Sequence, residues 1–137
     1  MTNTREIESA DSTMLSASFK HTGKVDEAVI SRWKEADKRA IPVEQGKVLE
    51  IMVDAGNDEL AYAYFKYPSR DVMARALSLG AQDRVLEAGE VVLVNGWLGG
   101  DERLKPGHEL TDEYLCMTAA MEAFNAIKLA KAFTAKY

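Results

Sequence analysis

"KVLEIMVDAGNDELAYAYFKYPSR", residues 47–70, decides how the rest of the chain is read. Leu49, Ile51 and Val53 alternate with Glu50 and Asp54, and "ELAYAYFKY", residues 59–67, is equally rich in strand-favouring residues. Between them stands "AGND", a turn signal too short for a parallel crossover, so the two runs are expected to form an antiparallel hairpin. Pro68 stops the second strand. Ser69 is placed to cap a helix from Arg70, with Val72, Met73, Ala76 and Leu77 on its buried side and Gly80 at its end.

Upstream of the hairpin, Val25, Val29, Trp33, Ala36 and Ala40 recur at helical spacing, and Pro42 and Gly46 end the element. Residues 1–23 are rich in Ser, Thr and Asp and show no sustained period. They read as a flexible arm ahead of a single domain at 24–137.

Downstream, residues 83–95 are read as helix in preference to strand. Val85, Leu86, Ala88, Val92 and Leu93 share one side of a wheel opposite Glu87 and Glu90, although Val94 falls on the polar side. As a strand, "VVLV" would have to be buried on both faces. The following "NGWLGGDERLKPGHEL", residues 95–110, reads as structural: Gly96 closes the helix, Trp97 and Leu98 plug the core, and Gly99 and Gly100 form a tight turn. Thr111 or Asp112 then caps a long last helix to about Phe133, whose apolar side bears Leu115, Cys116, Ala119, Ala120, Ala123, Phe124, Ile127 and Ala130. The expected fold is α+β: an N-terminal helix, a two-stranded antiparallel β-hairpin, and a three-helix C-terminal part with a long final helix.

Composition narrows the function. The chain has 137 residues, and a chain of this length buries roughly two-thirds of its unfolded surface without disulfides or metals. One cysteine, Cys116, excludes an internal disulfide and suits a reducing compartment. No apolar run approaches the roughly 20 residues of a membrane span, and the N-terminus lacks the pattern of a secretory signal, so a cytoplasmic, membrane-free protein is expected. A net charge of −5 argues against general nucleic-acid affinity, and the run Tyr62, Tyr64, Phe65 and Tyr67 reads as strand packing, not a base-stacking platform. Residues 81–115 alone carry eight acidic and three basic side chains, equal to the whole net charge.

Catalytic signatures are missing from the sequence. "GWLGGD" lacks the spacing of a phosphate-binding loop. Asp101, Glu102, Glu109, Asp112 and Glu113 lack the alternating ligand pattern of a calcium loop and read as solvated acids. His21 and His108 have no cysteine or second histidine at ligand spacing. No nucleophile, general acid and base pair, metal or cofactor is assigned, so a non-enzyme is expected.

Across residues 46–125, "GKVLEIMVD", "LAYAYFKYPSRDVMARAL", "EAGEVVLVNGWLGGDE" and "LTDEYLCMTAAMEAF" together resemble small proteins of tailed bacteriophages and prophages, most of all the tail assembly chaperones of long-tailed phages. The resemblance implies a non-catalytic protein that coats the tape measure protein, or another phage tail or virion protein, in the host cytoplasm. An alternative is a virion structural component, a connector or minor capsid protein; another is a small enzyme or inhibitor. The width of the last helix's apolar side makes Ala119, Ala120, Ala123, Phe124 and Ile127 the expected partner-binding or homo-oligomer surface.

Overall fold

The structure is a computed structural model that describes residues 19–36, 48–127 and 135. Its centre is the hairpin. β2 (Val48–Gly56) and β3 (Glu59–Lys66) pair antiparallel, with Val48 opposite Lys66 and Gly56 opposite Glu59. Asn57 and Asp58 both adopt positive φ, 52° and 58°, as a two-residue turn matched to the twist of the strands requires. The Asp54 carboxylate accepts a 2.9 Å hydrogen bond from the Gly56 N–H, bracing the bulge that precedes the turn.

The sheet holds more than the hairpin. β1 (Lys20–Thr22) runs parallel to β3 from Glu59 to Ala61, and β4 (Trp97–Gly100) runs antiparallel to it between Ala63 and Phe65. They lie end to end along the edge of β3 that β2 leaves open, so the two-stranded hairpin becomes a four-stranded mixed sheet. Neither added strand has an alternating pattern of its own; both borrow order from the unpaired groups of β3.

This corrects three expectations. The domain does not begin at Lys24, because Phe19 packs on the sheet and Lys20 donates a 2.7 Å hydrogen bond to the Asp58 carbonyl; residues 1–18 of the expected arm lie outside the described residues. Gly99 and Gly100 are strand residues, not a tight turn. Gly80 stays helical and is small because the Phe124 ring lies over it; the chain leaves the helix through Asp83, at φ 61°.

Because β3 is central, its side chains are buried on both faces. Ala61, Ala63 and Phe65 join Ile51 and Val53 beneath three helices, α2 (Arg70–Ala81), α3 (Val85–Gly96) and α4 (Glu113–Ala126). Leu60, Tyr62 and Tyr64 face the other way, against α1 (Glu27–Ala36) through Ile30 and Trp33. Among the described residues the sheet therefore lies between one helix and three. The helix expected over 25–40 is described as Glu27–Ala36, with the Asp26 carboxylate accepting from the Val29 N–H at 3.1 Å; Ala40, Pro42 and Gly46 lie outside the described residues.

The caps fall where the sequence places them. The Ser69 hydroxyl accepts from the Val72 N–H at 3.4 Å, and the Asp112 carboxylate accepts from Tyr114 and Leu115 N–H at 3.1 and 3.2 Å. The helix expected over 83–95 runs from Val85 to Gly96; Asp83 and Arg84 precede it as turn and cap. Met73 and Ala76 are buried on α2, whereas Leu77 is exposed, and Leu86 on α3 is likewise outside the core. The last helix is described to Ala126, and its expected continuation to Phe133 lies outside the described residues.

Candidate functional site

The stretch after α3 ties the fold together. Gly96 is the last helical residue and Trp97 enters β4 directly, its ring half-buried against the helix-side core with the Lys105 ammonium 5.7 Å from its centroid. Leu98 turns to the α1 side, and Gly99 lies under the Trp33 ring. Gly100 has φ 127°, and a Cβ there would overlap the Tyr62 carbonyl, so both backbone angle and space demand glycine.

Asp101 follows, and it is not the solvated acid expected from the sequence. Its N–H donates to the Tyr62 carbonyl at 2.7 Å, continuing the β4 pairing. Its carboxylate, on a side chain only 11% exposed, accepts from the Arg103 guanidinium at 2.7 Å, from the Arg103 N–H at 3.0 Å, and from the Thr22 hydroxyl at 2.7 Å. Arg103 also reaches Glu59 at 3.1 Å. The Asp101–Arg103 pair thus clasps β1, β3 and β4 where the two short strands meet. The Arg103 carbonyl then accepts from the Asp112 N–H at 3.0 Å, tying the clasp to the start of α4.

Hydrogen bonds from Arg103, aided by Thr22, pull the Asp101 pKa down to about 2 against partial burial. The group is thus more acidic folded than unfolded, and its contribution is fully present above the ordinary value of 3.8 and lost as pH falls through about 2. That shift corresponds to roughly 2 kcal/mol. Asp101→Asn should therefore cost on the order of 2 kcal/mol at neutral pH and flatten the acid limb of the stability curve. Urea unfolding from pH 5 to pH 2 checks this; parallel curves for wild type and variant would remove the clasp from the account.

On the other face, His21 Nδ1 lies 2.6 Å from the Tyr62 hydroxyl, and the Lys24 ammonium is 5.1 Å above the Tyr62 ring. The Tyr64 hydroxyl accepts from the Val25 N–H at 3.3 Å, and burial pushes its pKa well above the usual tyrosine value. Tyr62, Tyr64 and Phe65 are all buried, so they offer no open platform for bases. A shallow pocket lies where Lys66 and Ser69 approach Asn95 and Gly96, but the Ser69 hydroxyl caps α2 and the Asn95 amide donates to the Val91 carbonyl at 2.8 Å. Cys116 is buried, and burial with the nearby Glu90 charge raises its thiol pKa, leaving it protonated at neutral pH.

The expected partner surface is corrected. Ala119, Ala120 and Ala123 have no exposed area, Ile127 is buried, and Phe124 is half-buried over Gly80. They form the chain's own core, because α3 approaches α4 so closely at Gly89 that only small side chains fit. A second apolar stripe points outward. Leu110 (59% exposed), Tyr114 (78%), Met117 and Met121 follow one another at steps of four, three and four, and Leu86 and Val94 (55%) stand on the outer side of α3. This stripe lies outside the apolar side expected of α4; its signal in the sequence is the recurrence of Leu110, Tyr114, Met117 and Met121 at helical spacing.

Among the described residues no group of three or more His, Cys, Asp or Glu is placed to hold a metal ion, and no helix is long and apolar enough to cross a membrane. The chain matches no protein-family model, no curated protein and no solved structure.

Proposed function

We propose that the protein is a non-catalytic assembly factor of the phage tail assembly chaperone type, which binds the tape measure protein or another tail protein in the host cytoplasm. The observation that supports this reading is the outer face of α3 and α4, where Leu86, Val94, Leu110, Tyr114, Met117 and Met121 are exposed together. All the exposed large apolar side chains among the described residues except Leu77 lie on these two helices or at the entry to α4. Such concentration is typical of a protein-binding face, and methionine suits it because its unbranched thioether adapts to a partner's shape.

The test is co-expression of the full chain with the tape measure protein of a long-tailed phage from the same source genome. Capture should be lost in a Tyr114→Ser, Met121→Ser variant of unchanged melting temperature, and mass spectrometry of finished particles should find no copy of this chain. Undiminished capture by the variant, or stoichiometric retention in the particle, would remove this reading.

A further inference from the structure

The outer face of α3 and α4 has a second property besides its apolar side chains. Neither helix contains a lysine or arginine: α3 carries Glu87 and Glu90, and α4 carries Glu113 and Glu122. Glu87, Glu90 and Glu113 are exposed, and Glu87 is paired with Arg84 just ahead of α3.

These acids flank the exposed stripe. The Gly89 backbone meets Ala120, and Glu90 lies close enough to Cys116 to act on its thiol, so advancing along α3 means receding along α4. With that antiparallel register, Leu86 lies level with Met121, Glu90 with Met117, and Val94 with Tyr114 along the two helix axes. The outcome is one shallow track, apolar along its floor and acidic at its α3 side and its α4 start. At 1.5 Å per residue the 14 residues of α4 extend about 20 Å, room for roughly four turns of a bound helix.

We infer that this track binds a basic amphipathic helix, whose apolar stripe lies on Val94, Tyr114, Met117 and Met121 while its flanking Lys or Arg meet Glu90 and Glu113. The inference rests on the proposed protein-binding role and adds the chemistry of the partner. Apolar contact supplies the affinity of a helix laid in a groove. The acids decide among helices, since like charges across an interface exclude wrong partners and opposite charges speed encounter.

Two fluorescent helical peptides test it: a four-turn Leu stripe flanked by lysines, and the same peptide with glutamates for lysines, each titrated by anisotropy against the full chain. The lysine peptide should bind about tenfold or more tighter, and the preference should shrink between about 50 and 300 mM salt as surface charges are screened. Glu90→Lys with Glu113→Lys, confirmed folded by melting, should reverse the preference, and Tyr114→Ser with Met121→Ser should abolish binding of the lysine peptide. Equal binding of both peptides, or binding of neither, overturns the inference. A concentration-dependent dimer that blocks the peptide and vanishes in Tyr114→Ser, Met121→Ser overturns it in favour of a second copy as occupant. The two readings fail separately: tape measure capture without charge preference leaves the chaperone role and removes this inference. Charge-selected peptide binding without tape measure capture does the reverse.

Discussion

Gly89→Ala is expected to destabilise the fold by about 3 kcal/mol, the upper part of the usual range for overpacking. The effect runs against helix propensity, since Gly to Ala in a helix interior gains about 1 kcal/mol where nothing opposes it. Here the backbone of α4 opposes it. A Cβ on Gly89 would overlap the Ala120 carbonyl and lie 2.8 Å from its Cα. Backbone atoms cannot rotate aside as a flexible side chain can, so α3 would have to move away from α4 and loosen Ala88, Val92, Leu93, Ala119 and Ala123, all without exposed area. Urea denaturation of the variant, alongside Glu90→Ala at an exposed site on the same helix, separates the two terms. A Gly89→Ala protein as stable as wild type, or more stable, would show that the helices are not in close contact at this point.

The same crossing explains what could be read from the sequence and what could not. The hairpin was legible because its signals are local: alternation in β2, the positive-φ residues of "AGND", and the Pro68 and Ser69 boundary. Val94, which spoils the wheel of residues 83–95, is explained once it is seen to be exposed on the outer face. β1 and β4 escaped because three and four residues, two of them glycine in β4, carry too little pattern, and their order comes from the free edge of β3. Asp101 looked like any loop acid, since the Thr22 hydroxyl that marks it as structural is 79 residues away in sequence. On α4 the sequence showed a wheel too apolar for one surface, but not which half is core. That choice follows from side-chain size: the Gly89 contact admits the alanine side and leaves Tyr114, Met117 and Met121 outside.

Tyr64→Ala is expected to cost about 3–5 kcal/mol, as removal of a large buried side chain does. Tyr64 has no exposed area and lies at the middle of the smaller core, with the Trp33 ring centroid 5.7 Å from its own at 45°. Its hydroxyl also holds the Val25 N–H just ahead of α1. α1 has no fully buried residue, so its attachment depends on a few half-buried contacts for which Tyr64 is the floor. Tyr64→Phe keeps the ring and loses only the acceptor, and should cost about 1 kcal/mol. The raised pKa adds a second signature: because the folded state holds the hydroxyl proton more tightly than the unfolded chain, stability should fall as pH rises above the ordinary tyrosine value near 10, and Tyr64→Phe should remove that fall. In a Trp97→Phe background, Trp33 emission reports on α1 alone. If the loss of Tyr64 frees the helix before the rest unfolds, that emission will shift at lower urea than the circular dichroism of the three-helix layer. A Tyr64→Ala protein within about 1 kcal/mol of wild type, with Trp33 emission unchanged, would mean that α1 is held by contacts other than the sheet face beneath it.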